Sequence, residues 1–313
     1  MIKMVTGAAG FVGSTLSQRL LENGEEVIGI DCFLDYYPRE IKEKNLKPLR
    51  DYASFRFVEK NIIDLDFPVI LEGVDGIYHQ AAQAGVRTSW GDNFEIYTTN
   101  NILATQKLLD AIRNKPIRLV YASSSSVYGE TGKFPMQEDD LPAPVSPYGV
   151  SKLAAEHLCR LYWRNFGVPT VSLRYFTVYG PRQRPDMAFH RFIKSICNGH
   201  PLELYGDGEQ TRDFTFIDDA VDANLLAMKK GASGAIYNIG GGTRISVNKV
   251  LEMMQSLLGK KARIKYGAIQ KGDVTHTFAD TTRAQNDLGF HPKTPMEEGL
   301  KKEAEWIRKN ILP

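Results

Sequence analysis

Short apolar runs rich in β-branched and aromatic residues alternate with helical periodicity through the first half of the chain. IKMV, EEVIGID, FRFVEKNI, GIYHQAA, RLVYASS and TVSLRYF read as strands. Between several of them the pattern predicts helices from about Gly13 to Asn23, Phe94 to Asn114 and Pro147 to Phe166. Strand and helix repeating in one direction imply an α/β fold, a parallel sheet with helices on both faces. In the last helix Ser146 suits the N-cap, Pro147 the first turn and Gly167 the position past the end, while Val150, Leu153, Ala154, Leu158 and Leu161 mark an apolar face. From about Phe176 the rhythm breaks into Gly, Pro and charge in YGPRQRPD, NGHPLELYGDGEQTRDF and GAIQKGD, the texture of a smaller lobe. AIYNIGGG reads as one more strand returning to the sheet. The expected organisation is a first lobe over 1–176 and a second over 177–313, with about 213–245 returning to the first.

Composition narrows the function. The 313 residues, 42% hydrophobic, suffice for a substantial core, and 39 basic against 37 acidic residues leave a net charge of +2. That balance gives no surplus to neutralise a nucleic-acid backbone and no case for a charged membrane surface. The opening MIKMVTGAAG reads as strand and turn rather than as a leader, so the expected compartment is the cytoplasm. Cys32, Cys159 and Cys197 are scattered, and the six histidines lack metal-ligand spacing, so neither a disulfide framework nor a metal site is expected.

TGAAGFVG carries the first chemistry. Gly7, Gly10 and Gly13 follow a strand and open a helix, which lets the backbone turn tightly, approach a pyrophosphate and aim N-terminal amides at it. Asp31 ends the next strand, where a carboxylate accepts both hydroxyls of a ribose. Cys32 and Phe33 follow it, so no adjacent cation awaits a 2′-phosphate, and NAD rather than NADP is expected.

SPYGVSK carries the second. Tyr148 and Lys152, four apart on a helix, share a face. Lowering a tyrosine pKa from about 10 by about 3 units takes roughly 4 kcal/mol. An ammonium about 4 Å away supplies energy of that order at an effective dielectric near 20. The expected result is a phenolate that takes a hydroxyl proton while a nicotinamide oxidises the same carbon. Upstream, VYASSSSVYG sets four serines between a strand and a turn; composition suggests a loop, its flanks an active-site edge.

TGAAGFVG, Asp31, the serine run with VYG, SPYGVSK and RYFTVYGPRQRP occur in an order that resembles the extended short-chain dehydrogenase/reductase superfamily, in its nucleotide-sugar epimerase and dehydratase branch. DCFLDYY, QAAQAGVRTSW and YGPRQRPDMAF look most like UDP-glucuronate 4-epimerases, with UDP-galactose 4-epimerases the broader relatives. The resemblance implies a Rossmann-type doubly wound sheet holding NAD permanently, an interleaved C-terminal lobe holding a UDP-sugar, oxidation at C4 with reduction from the other face, and a homodimer. It implies that Tyr148 is the acid/base, with Lys152 and Ser124 assisting. Phe11 and Val12 in the glycine turn, Ser123, Asp64 against adenine, Asn101 beneath the active-site helices, and the backbone of Tyr175 and Phe176 would serve the cofactor. The sugar nucleotide would meet Arg212 at its pyrophosphate and Asp273 near its ribose. Thr177, Ser125 and Ser126 would line the sugar pocket; the last two stand where related dehydratases carry Asp and Glu. A serine cannot replace either as a general acid or base at neutral pH, so the 4-keto intermediate is expected to be returned and not dehydrated. Arg184, with Arg87 as the weaker candidate, would meet a C6 carboxylate. Two positions depart from the pattern: Gln270 replaces a frequent arginine, and Gln80 sits where apolar residues are usual, with no function read for it. A UDP-glucose/UDP-galactose 4-epimerase and an NAD-sensing regulator stand as the alternatives.

Overall fold

In the computed structural model, which describes residues 1–312, the near-continuous apolar runs form the middle of a parallel sheet, where both faces are covered. These are β1 (Ile2–Thr6), β4 (Val74–His79), β5 (Arg118–Ser124) and β6 (Thr170–Tyr175). β2 (Glu26–Asp31) and β3 (Phe55–Glu59) extend it on one side and β10 (Ile236–Ile239) on the other, in the order β10-β6-β5-β4-β1-β2-β3. The strand order reverses between β1 and β4, which opens a crevice at their C-terminal ends.

Helices α1 (Phe11–Glu22) and α2 (Arg39–Leu46) follow the first two strands. The predicted second long helix, α3 over 94–112, is not uniform: Phe94–Tyr97 and Ala104–Ile112 are α-helical, but Thr98–Leu103 is π-helical. The wider turn lies where Asn100 faces the crevice and Asn101 is buried behind it. α4 spans Pro147–Phe166 as expected, with Ser146 Oγ accepting from Gly149 N at 3.1 Å and Gly167 at φ +72°. The expected apolar face is not the one it buries. Ser151, Lys152, Ala155, Glu156, Cys159 and Tyr162 pack inward, while Val150 and Leu161 stay 44% and 54% exposed. Tertiary contacts with β5, β6 and α3 outweigh the local pattern.

β7 (Thr177–Tyr179), β9 (Thr211–Phe216) and β11 (Arg244–Ser246) form a small sheet in the second lobe. β8 (Pro201–Tyr205) pairs there with β12 (Arg263–Gly267), and α5 (Ala188–Asn198) packs against α7 (Val247–Leu258). The returning segment is narrower than 213–245. Only α6 (Ile217–Lys230), which packs on α1, and β10, which pairs with β6, join the large sheet; β9 and β11 stay with β7. α3 and α4 cover the opposite face from α1 and α6. Among the described residues no helix is long and apolar enough to cross a membrane, no metal-binding cluster occurs, and the three cysteines are unpaired.

Candidate active site

The loop from β1 to α1 shows why its glycines are needed. Gly7 takes φ +71°, and a side chain on Gly13 would place Cβ 2.0 Å from Gly7 O. Close packing of helix on turn leaves the α1 N-terminus open to an anion. Asp31 accepts from Ala9 N at 3.1 Å and Phe33 N at 2.9 Å; burial pushes its carboxyl above the usual range, opposed by those amides and the Lys42 charge. Lys42 is the nearby cation that the residues next to Asp31 did not reveal. Its ammonium, supplied by α2, donates to Leu34 O at 2.7 Å. Gly7, Gly10, Phe11, Val12, Gly13 and Asp31 share one groove with Ser123, Tyr148, Lys152, Tyr175 and Arg184. Glycine turn, carboxylate and an ammonium facing the groove fit a dinucleotide.

Three expected cofactor residues fall outside the groove: Asp64, Asn101 and Phe176, the last fully buried against Tyr128. Asp64 is exposed; Asn61 and Ile62 line the wall instead, because Asn61 caps the short turn Ile62–Asp64 and the chain has already turned away. Asn101 is buried with its amide committed to Gln83, at 2.7 Å from N and 3.0 Å to O, and to Ser151 Oγ at 2.9 Å. It braces the groove wall against α4.

α4 delivers the chemical residues. Tyr148 is partly buried and edge-on to Tyr97 at 6.2 Å, with the Ser124 side chain near enough to influence its titration. Ser124 Oγ also accepts from Ser126 N at 3.1 Å, so the serine run is a strand end followed by the capped turn Ser125–Val127, which lies against Gly149. Burial raises the Tyr148 pKa, opposed by the Ser124 hydroxyl and the Arg184 charge. The expected depression by Lys152 is absent. The Lys152 ammonium is itself desolvated, which pushes it down to about 7, and it lies 4.5 Å from the centre of the Tyr121 ring.

Glu156, one more turn along α4, escaped the sequence reading. It forms a buried pair with Arg174, Nη2 to Oε1 at 2.7 Å and Nε to Oε2 at 3.0 Å, and accepts from Ser123 Oγ at 2.6 Å. Its spacing from Lys152 was the available signal. His79 was also passed over. Thr105 Oγ donates to Asn101 O, so His79 Nε2 is the donor to Thr105 and Nδ1 accepts from Thr6 Oγ, which itself accepts from Ala81 N. The chain ties β1, the 80–84 wall and α3 together through a neutral imidazole.

The expected substrate residues divide. Arg184 faces the groove beside Tyr148, but it is not the lone cation anticipated: Nε and Nη2 each donate to Asp186 at 3.0 Å, and Tyr36 donates to the same carboxylate at 3.2 Å. Arg87 is drawn elsewhere, to Asp273 at 2.6 Å and over the Tyr205 ring. Arg212 joins that second cluster and donates to the carbonyls of Thr211, Val274 and Thr275. Thr177 begins β7, opposite Phe214, and neither it nor Ser124–Ser126 lines the groove itself.

The model of the family described as NAD dependent epimerase/dehydratase matches residues 3–240. An uncharacterized UDP-glucose epimerase of Bacillus subtilis is 46% identical, with 97% of each chain covered. A UDP-glucuronate 4-epimerase of Thermodesulfobacterium geofontis is 38% identical over 98% of this chain and 96% of its own. The crystal structure of a UDP-glucuronic acid 4-epimerase from Bacillus cereus, in complex with UDP-glucuronic acid and NAD, superposes with a TM-score of 0.96 at 44% identity, covering 99% of both chains.

Proposed function

The chain belongs to the NAD dependent epimerase/dehydratase family, and on that premise we propose that it is a UDP-sugar 4-epimerase interconverting UDP-glucuronate and UDP-galacturonate. The observation that carries the reaction class is Tyr148 facing the groove that the glycine turn and Lys152 also line, with Ser124 beside it. When bound, NAD supplies reversible two-electron oxidation at C4. Tyr148 removes the O4 proton and returns it, and Ser124 shares the hydrogen bond so that the oxygen stays in place. The phenol is not pre-ionised. Lys152 faces the groove and would hold the cofactor there; acceptors of the bound group would favour its charged form, and that charge would lower the phenol. Glu156 and Arg174 hold α4 against β6 so that these groups keep their spacing. Ser125 and Ser126 offer hydroxyls and no carboxyl, so the ketone is reduced again rather than dehydrated.

Arg184 supports the acid sugar. Its Nη1 is not committed to Asp186, and its charge reaches Tyr148. A buried carboxylate at C6 needs such a partner, whereas a hydroxymethyl does not. Arg184→Gln should cost about a hundredfold in turnover of UDP-glucuronate and little with UDP-galactose. The second reading, a UDP-glucose/UDP-galactose epimerase, is favoured by Asp186, which already offsets the guanidinium. Equal turnover of UDP-galactose and UDP-galacturonate by the unmutated protein would select it. The quaternary proposal is a cytoplasmic homodimer. Ile96 and Leu103 on α3 and Val150 and Leu161 on α4 leave apolar side chains outward on two adjacent helices, which a second copy would cover as a four-helix seam.

A further inference from the structure

Gln80, without a function in the sequence, closes a ring of hydrogen bonds at the sheet edge. Gln80 Nε2 donates to Asn224 Oδ1 at 2.9 Å, Asn224 Nδ2 donates to Tyr175 OH at 2.7 Å, and Tyr175 OH donates to Gln80 Oε1 at 3.2 Å. The amide orientations follow from one fixed point. Asn224 Nδ2 also donates to the Ala220 carbonyl at 2.7 Å, which only a donor can satisfy, so Oδ1 faces Gln80 and requires its NH2 group. Asn224 spends both of its N–H groups and Tyr175 its only one. The NH2 of Gln80 has one hydrogen left over.

That hydrogen belongs to a groove residue. Gln80 and Tyr175 line the groove, whereas Asn224 is buried behind them on α6. The Gln80 backbone lies against the glycine turn: a Cβ on Gly7 would come 3.1 Å from Gln80 C and 2.9 Å from Ala81 N. The ring occupies the α1/α6 face of the sheet, opposite Tyr148 and Lys152 on α4. A ligand crossing from the glycine turn toward Tyr148 has this donor on its other flank. An apolar residue would fill the same space without a ring or a donor.

We infer that Gln80 is a ligand of the bound dinucleotide, its second amide N–H donating to an oxygen of the nicotinamide-side phosphate or ribose, with Asn224 and Tyr175 fixing the amide. The inference rests on the reading of the groove as an NAD site. The test is titration calorimetry of NAD, ADP-ribose and AMP on protein freed of co-purified nucleotide, unmutated and Gln80→Leu. Loss of a hydrogen bond to a phosphate or ribose oxygen should raise Kd about tenfold for NAD and ADP-ribose and leave AMP within about twofold. Unchanged NAD affinity in Gln80→Leu would overturn the inference, and so would equal weakening of AMP, which would mark collapse of the turn rather than a lost donor. If Gln80→Leu alone does not fold because Asn224 Oδ1 is orphaned, Gln80→Leu/Asn224→Leu carries the same expectations. No NAD binding by the unmutated protein would instead remove the reading of the groove.

Discussion

Glu156→Gln tests what holds the catalytic helix to the sheet. The two side chains of the Glu156–Arg174 pair are each 2% exposed, and their two contacts at 2.7 and 3.0 Å form a fork. Neutralising Glu156 leaves the guanidinium with the Glu138 carbonyl at 3.1 Å and the Tyr128 ring at 4.7 Å, neither of which offsets a full charge. Breaking a buried pair from one side costs about 3–5 kcal/mol. Glutamine keeps the volume and one acceptor, which puts the expected loss near 3 kcal/mol, or about 5 °C in Tm at this chain length. Removing both charges in Glu156→Leu/Arg174→Met avoids the orphan and should stay within about 1 kcal/mol of the unmutated protein. Urea unfolding followed by tryptophan fluorescence measures all three. A Glu156→Gln cost below about 1 kcal/mol, or a double variant worse than the single, would refute the argument that desolvation of an unpaired charge sets the magnitude.

Tyr148→Phe should retain fold and NAD while turnover falls by at least about a hundredfold, the lower range for a general acid/base; near-normal turnover removes the mechanism. Burial holds the His79 imidazole neutral, down to about 3 in the folded chain, so folding stability is fully present above the unfolded value near 6.5 and falls as pH drops toward 3. His79→Asn should make the stability profile shallower there by about 1.4 kcal/mol per pH unit, and identical slopes in urea titrations at pH 4.5 and 6.5 would show that His79 does not titrate this way. Leu161→Glu, on the outward stripe of α4, should convert a sedimenting dimer to a monomer without changing the fold, and an unmutated protein that sediments only as monomer at micromolar concentration rules the seam out.

The chain by itself determined the features that depend on near neighbours. Strand period, the glycine turn, the Ser146 and Gly167 caps and the 148/152 spacing are local, and each is present at its expected place. Asp31 was legible because a strand end places it, and the serine run because its flanks are a strand and a turn. What required the tertiary structure depends on partners distant in sequence. Asp64 and Asn61 lie three residues apart, yet only the path of the chain after β3 decides which one faces the groove. The face α4 buries was set by α3 and the sheet, against its own apolar pattern. The arginine beside Glu156 and the ring around Gln80 join residues 18, 95 and 144 positions apart. Charge balance and desolvation act through space, so the protonation of Tyr148 and Lys152 follows from burial that spacing along a helix does not encode.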